Sequence, residues 1–370
     1  MFSPLASQVG GHPGVLSSED GSLVIKASLP TELAFYESVS CDPNFAPLKP
    51  CVPRFYGTLR LAGKVDETTA TQDPTSFTVL EANLQYPFLR PNILDIKLGT
   101  VLYDEDASPE KRARMEKTAR ETTSFETGVR LTGFQVYDLT TGMPVITPKS
   151  YGKSIRPSDL QYGIARFFPL SPCSSPPTAV SSESTSRTSS PSVSRSASTA
   201  STARGIGTQV GTGLPPDILL PVLQAIRRNV AEIRAALARM EVRMVGGSLL
   251  VVYEADWPRA RAGLRILEEM AARPAHGEMT VEEVEMEDDS EGEEEEEEGD
   301  EDDDDEDDDD DDDDDDSRPK PIGPPYVVKL IDFAHTRIVP GRGPDEGVLL
   351  GLETVLNLLD GRIDEIRAVS

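Results

Sequence analysis

The sequence predicts an α+β protein of two lobes, a small antiparallel β-rich N-lobe and a larger α/β C-lobe, interrupted by two disordered inserts. Three observations support this. Short strand-like runs bounded by turn residues crowd residues 1–88. Residues 89–170, 205–281 and 317–370 instead alternate helical patterns with apolar strands. Between these blocks, residues 171–204 are dominated by Ser, and residues 282–316 carry 30 acidic side chains and no basic one. Outside that acidic run 36 Lys and Arg face 35 Asp and Glu, so the net charge of −29 belongs to an insert rather than to the fold.

In the N-lobe, Gly21-Ser22 is a turn before a strand at Leu23-Val24-Ile25-Lys26. Thr31 is placed to cap a helix through Glu32, Leu33, Phe35 and Tyr36. Strands follow at residues 55–60 and 76–81, where β-branched and aromatic residues collect. The C-lobe opens on Pro91-Asn92-Ile93-Leu94-Asp95-Ile96-Lys97-Leu98-Gly99, an apolar run enclosing two charges. Ser108 caps and Pro109 begins a helix reaching about residue 122. An alternating strand covers residues 128–137 and a short helix residues 158–168. Residues 215–244 read as one long amphipathic helix with Leu219, Val222, Leu223, Ile226, Val230, Ile233, Leu237 and Met240 on its apolar stripe, ended by Gly246-Gly247. A buried strand at 248–254, a helix at 259–272, a strand at 326–333 and a helix at 347–359 complete the lobe.

The Ser-rich run has too little apolar surface to fold and reads as a phosphorylatable linker. Cys41, Cys51 and Cys173 lack metal-site spacing and point to a reducing compartment. The N-terminus has neither the basic nor the apolar region of a signal peptide, and no apolar run approaches the roughly 18 residues of a membrane span. The expectation is a monomer of the nucleus and cytoplasm, with no membrane association.

Three strand-borne charge sets stand out: Asp95 with Lys97, Asp332 at the end of an apolar strand, and Lys26 at the end of another. Ionised groups beside apolar surface are costly unless paired or bound to a ligand. Lysines neutralise phosphates, and an aspartate can hold a Mg²⁺ that bridges nucleotide oxygens, so the set fits phosphoryl transfer. Each also has an ordinary structural reading. Asp332 can be a turn residue, Lys26 can reach solvent from an edge, and Asp95 and Lys97 can be an exposed pair. A protein kinase fits poorly, since the chain has no H-R-D, D-F-G or G-x-G-x-x-G element.

The string from Pro91 to Gly99 resembles the P-x-x-x-D-x-K-x-G signature of the inositol polyphosphate kinases. Ser248-Leu249-Leu250 resembles that family's SLL element and Ile331-Asp332-Phe333 its IDF element, in the same order. Gly11-His12 before Gly14, Glu126-Thr127-Gly128 before Arg130, Tyr151-Gly152-Lys153-Ser154, and Asp345-Glu346-Gly347 before Gly351 are similar to the family as well. Within it the sequence most resembles the fungal multikinase branch of the arginine-metabolism regulator type. Leu102-Tyr103-Asp104, Lys111-Arg112-Ala113-Arg114-Met115 and an Asp-rich insert ahead of the IDF element carry that likeness.

The resemblance implies a kinase-like fold using ATP and Mg²⁺, with inositol polyphosphates as substrates. The implied reaction carries inositol trisphosphate to tetrakis- and pentakisphosphate by in-line transfer. It implies that Lys26 contacts ATP phosphates, that Glu81 meets adenine at the hinge through backbone and side chain, and that Asp95 meets the ribose hydroxyls. Lys97 is implied to meet the transferred phosphoryl or a substrate phosphate, Ser248 to line the nucleotide near the metal, Asp332 to hold the metal, and His335 to lie by the reacting hydroxyl. Lys111, Arg114, Lys117 and Arg120 recur at steps of three on the predicted helix, a cationic stripe for substrate phosphates, and Lys153 is a further phosphate contact.

Two alternatives stay open. One is an inositol hexakisphosphate kinase, which shares the signature. The other is a scaffold or transcriptional co-regulator whose acidic tract binds basic partners such as transcription factors or histones. That tract repels phosphates, so direct nucleic-acid binding is not expected. Its place shortly before Asp332 in the sequence suggests self-regulation, with the tract mimicking a polyphosphate in the cationic site.

Overall fold

Two five-stranded antiparallel sheets supply the walls of one cleft. The computed structural model describes residues 2–5, 9, 14–59, 77–171, 213–272, 320 and 322–370. The acidic insert, the Ser-rich insert beyond Ser171, and Gly11-His12 lie outside the described residues.

The N-lobe sheet contains β1 (Ser3–Pro4), β2 (Leu16–Ser17), β3 (Leu23–Ser28), β4 (Phe55–Leu59) and β5 (Phe77–Ala82), in the order β1-β2-β3-β5-β4. Between β3 and β4 the chain forms helix α1 (Pro30–Cys41) and a 3-10 stretch (Pro43–Cys51). The C-lobe runs through β6 (Pro91–Leu98), α2 (Pro109–Glu121), α3 (Ser124–Thr127), β7 (Val129–Asp138), β8 (Met143–Thr147), α4 (Lys149–Ser154) and α5 (Leu160–Phe167). It continues with α6 (Pro216–Leu237), β9 (Val242–Met244), β10 (Ser248–Glu254), α7 (Trp257–Ala272), β11 (Tyr326–Ile331), β12 (Thr336–Ile338) and α8 (Glu346–Val369). Its main sheet is ordered β11-β10-β6-β7-β8, and β12 pairs with β9 alone. No described helix is long and apolar enough to cross a membrane.

Register positions the charges. Asp95 lies opposite Leu250, while Lys97 lies opposite Ser248 on one side and Arg130 on the other. Because strand side chains alternate, these residues share the cleft face. Leu94, Ile96, Leu98, Leu249 and Val251 point the other way, into the main core. There the α6 stripe seals the sheet. Leu219, Val222, Leu223, Ile226, Val230 and Ile233 are each at most 1% exposed, and each contributes roughly 1.5–3 kcal/mol of burial. Helix α8 reaches the same core through two motif glycines. A side chain on Gly128 (φ 68°) would sit 2.5 Å from the backbone of Gly351, so only glycine admits this approach.

The expected bilobal α+β arrangement holds, with four local corrections. The helix expected over 215–244 stops at Leu237, and residues 242–244 form β9 instead, paired with β12. Periodicity could not reveal this, because the β9 partner lies about a hundred residues away. Thr31 does not cap α1. Leu29 occupies the cap position, and the Thr31 hydroxyl donates to the carbonyl of Ala334. The strand expected to reach residue 333 ends at Ile331, because Asp332 turns the backbone to φ 66°. The last helix runs on to Val369, since Leu359, Ile363 and Ile366 continue its buried stripe.

The boundary at residue 88 divides two sheets but not two cores. Phe35, Tyr36, Val39 and Leu48, from α1 and the 3-10 stretch, belong to the same buried cluster as α6 and β10. The Phe35 ring stacks on Phe333 at 4.2 Å between centroids.

Candidate active site

Lys26 projects from β3 into a nest of carboxylates. Its Nζ lies 2.9 Å from Glu32 Oε1 and 2.9 Å from Glu81 Oε1. Burial alone would lower the pKa of this ammonium, but Glu81, then Glu32 and Asp332, outweigh it and hold Lys26 above its ordinary value. Burial pushes the Glu81 carboxyl up, against the pull of Lys26. Glu32 is the residue that sequence reading missed. It lies on the buried face of α1 with Phe35, Tyr36 and Val39, and an acid on an apolar stripe was the available signal. Its carboxylate also accepts from Ser28 Oγ at 2.6 Å and from the backbone N–H of Phe333 at 3.3 Å. It therefore ties the N-lobe lysine to the turn carrying Asp332.

On the C-lobe wall, Lys97 Nζ donates to Asp332 Oδ2 at 2.6 Å and to the carbonyl of Gly246 at 2.6 Å. Asp95 is 2% exposed and Ser248 is fully buried. Asp95 Oδ1 and Ser248 Oγ have no hydrogen-bond partner among the described residues. Burial pushes the Asp95 carboxyl above its usual range. Lys97 opposes this and Asp332 adds to it; Ser248, close but outside hydrogen-bond geometry, and Lys149 oppose it more weakly. Two buried, unsatisfied oxygens, one of them on a residue lining the cleft, are costly unless a ligand completes them.

The cleft encloses about 760 Å³, part of it open to solvent. Its lining combines apolar Val15, Val24, Ile93 and Leu250 with the linker at Ala82–Gln85 and with Lys26, Asp95 and Asp332. Apolar walls carrying a few charged groups suit a small-molecule ligand such as a nucleotide. Glu81, expected at adenine, lines this cleft with its carboxylate paired to Lys26. Four carboxyl groups (Glu32, Glu81, Asp95 and Asp332) here gather around Lys26 and Lys97, with Arg130 and Lys149 acting on Asp95. Among the described residues no cluster of three or more His, Cys, Asp and Glu side chains could hold a metal ion. Mg²⁺ commonly takes only one or two protein carboxylates and completes its shell with water and substrate phosphates, so the oxygens of Asp332 and Ser248 fit it.

The predicted cations divide into two groups. Lys97 is in the cleft, but Lys111, Arg114, Lys117 and Arg120 are exposed on α2, and Lys153 is exposed on α4. Lys117 pairs with Glu121 at 3.7 Å, and the Arg120 guanidinium lies 5.4 Å from the Phe125 ring centroid. None of the four α2 cations touches Asp95, Lys97 or Asp332 in the described structure. Two unanticipated cations come closer. Arg130, opposite Lys97, is half-buried and forms no ion pair among the described residues; burial lowers its pKa and Asp95 partly restores it. Lys149, at the start of α4, acts on Asp95 electrostatically. Only strand register brings Arg130 to the site, which is why sequence spacing did not mark it.

His335 lies just beyond Asp332, with its Nδ1 2.5 Å from Asp104 Oδ2. Lys320 lies 5.5 Å from the Tyr86 ring centroid, at the linker end of the cleft. The extended β11 then spans roughly 20 Å to Asp332.

A bilobal cleft with an apolar slot, a lysine fixed by two glutamates and a lysine–aspartate pair at its mouth defines a phosphotransferase site. The model of the inositol polyphosphate kinase family matches residues 77–185 and 179–360. The chain belongs to that family. It is 29% identical to the inositol polyphosphate multikinase of Saccharomyces cerevisiae over 404 aligned positions, spanning 96% of this chain and 97% of that protein. Against the multikinase of Schizosaccharomyces pombe the identity is 32% over 168 positions, 44% of this chain and 61% of that one. Human inositol hexakisphosphate kinase 1 is 26% identical over 78% of this chain and 53% of its own length. The fold is also similar to the crystal structure of the inositol phosphate multikinase Ipk2 from S. cerevisiae in complex with ADP and Mn²⁺. That match has a TM-score of 0.56 at 23% identity and spans 93% of this chain and 100% of the other.

Proposed function

We propose that the chain is an ATP-dependent inositol polyphosphate kinase of the multikinase type, carrying inositol trisphosphate to tetrakis- and pentakisphosphate. The observation that carries this reading is the Lys97–Asp332 pair at 2.6 Å, with Asp332 lining the cleft beside Lys26 and Asp95. The adenine lies in the slot of Val24, Ile93 and Leu250, against the backbone of the linker after Glu81. Asp95 Oδ1 accepts from a ribose hydroxyl, which relieves its unsatisfied state. Lys26 and Lys97 neutralise the phosphates from opposite walls. Asp332 and Ser248 hold Mg²⁺, which when bound neutralises charge across the β- and γ-phosphates. Arg130 and Lys149 anchor acceptor phosphates beside Lys97, with the α2 cations and Lys153 as an outer attracting field. His335 stands beside the attacking hydroxyl. Positioning and charge neutralisation supply the rate.

A product-resolved assay tests this. Wild-type protein and Asp332→Asn are incubated with ATP, Mg²⁺ and inositol tris-, tetrakis- or hexakisphosphate. The expected result is consumption of the tris- and tetrakisphosphate, with turnover reduced about 10³-fold in the variant. Activity on hexakisphosphate alone would move the assignment to the hexakisphosphate kinases, and no transfer to any inositol phosphate would sink it.

A further inference from the structure

Asp104 lies in the loop between β6 and α2, far in sequence from Asp332 and given no role so far. Its Oδ2 is 2.5 Å from His335 Nδ1, and its side chain is 14% exposed against 43% for the imidazole. The loop is held against β12 by further pairs. Arg337 lies 3.5 Å from Asp104 and 2.8 Å from Asp106, and Arg342 pairs with Glu105. His335 is placed next to the chemistry by its backbone. Its carbonyl accepts from Val245 N–H at 3.2 Å, and the adjacent Gly246 carbonyl accepts from Lys97 Nζ at 2.6 Å. The His335 backbone and the Lys97 ammonium thus bond adjacent residues of one turn.

We propose that Asp104 is a positioning residue that fixes His335 as the acceptor of the substrate hydroxyl proton. This rests on the kinase reading above. A carboxylate accepting from Nδ1–H selects the tautomer whose Nε2 carries the lone pair and fixes the ring orientation. In the transfer step the acceptor hydroxyl oxygen bonds to the γ-phosphorus. The bond from that phosphorus to the β,γ-bridging oxygen breaks, and ADP leaves with the electron pair. The hydroxyl proton passes to Nε2, and Asp104 stabilises the resulting imidazolium until the proton goes to water. The charged group that bears directly on this pair is Arg337, 3.5 Å from Asp104, while Lys97, paired with Asp332, bonds Gly246, next in the chain to the Val245 that meets the His335 backbone.

The test uses the full chain labelled with ¹⁵N-histidine. Only three histidines are present, and His335→Asn identifies the signals of His335. The expected native state has Nδ1 protonated and Nε2 bare, moving toward the Nε2–H tautomer in Asp104→Ala. His335→Ala is expected to lower kcat about 10²-fold, the lower range for a general base. Asp104→Ala should lower it at least tenfold, with KM for ATP and for inositol trisphosphate within about twofold. The double variant should be no slower than His335→Ala, since residues acting as a unit are not additive. Asp106→Ala, which removes only the neighbouring partner of Arg337, should keep kcat and controls for loop packing. An Nε2–H tautomer in the native protein, additive losses, or a loss confined to KM would each overturn the proposal. Absence of transfer by the wild-type protein overturns the functional reading and this one with it, whereas full turnover in Asp104→Ala overturns this one alone.

Discussion

The Lys26 side chain is 15% exposed and touches two carboxylates at 2.9 Å, whereas Lys117 on α2 is 72% exposed and reaches one at 3.7 Å. Both are lysines assigned to phosphate, but the protein invests in them differently. In the cleft, water is largely removed, charges interact strongly, and each group is held by more than one partner. On α2 the cations stand in water, where salt screens them and side-chain entropy offsets their pairing. The cleft should therefore fail in large steps when one group is removed, and α2 in small, salt-dependent ones.

The sharpest test of that contrast is Lys97→Ala. It removes the partner of Asp332 and a proposed phosphate contact together, and kcat measured at saturating ATP should fall about 10²–10³-fold. Glu32→Ala comes next. It removes one of the two carboxylate partners of Lys26 and leaves Ser28 Oγ and the Phe333 N–H without their acceptor, so urea unfolding should report a loss of about 3 kcal/mol. Asp95→Asn should have the opposite sign for stability. Burial holds the folded pKa of Asp95 above its unfolded value, so ionisation penalises the fold once pH rises past the ordinary carboxylate range near 4. The variant should gain about 1 kcal/mol at pH 7–8 and nothing at pH 3, while turnover falls. An equal gain at both pH values would contradict the burial argument. The smallest effects belong to α2. Single Ala substitutions of Lys111, Arg114 or Lys117 should raise the KM for inositol phosphate about two- to threefold at low salt and less at about 0.5 M. A large, salt-insensitive effect there would place α2 with the cleft.

The same contrast explains what the sequence could disclose. Asp95, Lys97 and Asp332 stood out because they are charges within or at the end of apolar strands, and Ser248 through its family-like string; register sets Ser248 opposite Lys97, and Lys97 meets Asp332 at 2.6 Å. The helix at α2 was legible from Ser108, whose Oγ accepts from Lys111 N–H at 3.2 Å as a cap should. Arg130 and Asp104 stand in the family-like strings, but their contacts were not legible, because these are created by register and by loop packing between distant segments. The pairing of Glu81 with Lys26 was not legible either, since an alternating strand pattern shows which face a side chain takes and not which neighbour it meets. The short pair β9 and β12 escaped for a related reason. Three-residue strands carry too little periodicity to register, and each exists only because the other is there.

Asp332 holds its backbone at φ 66°, a conformation that asparagine and glycine accept readily and most other residues resist. That choice of turn makes catalysis and architecture separable. An Asp-to-Asn exchange at this position deletes one negative charge and keeps the bend on which Phe333 and α1 rest. A cell carrying it would contain the protein at normal abundance but without its chemistry. Any duty performed by the inserts or the outer surfaces would then stand alone for measurement.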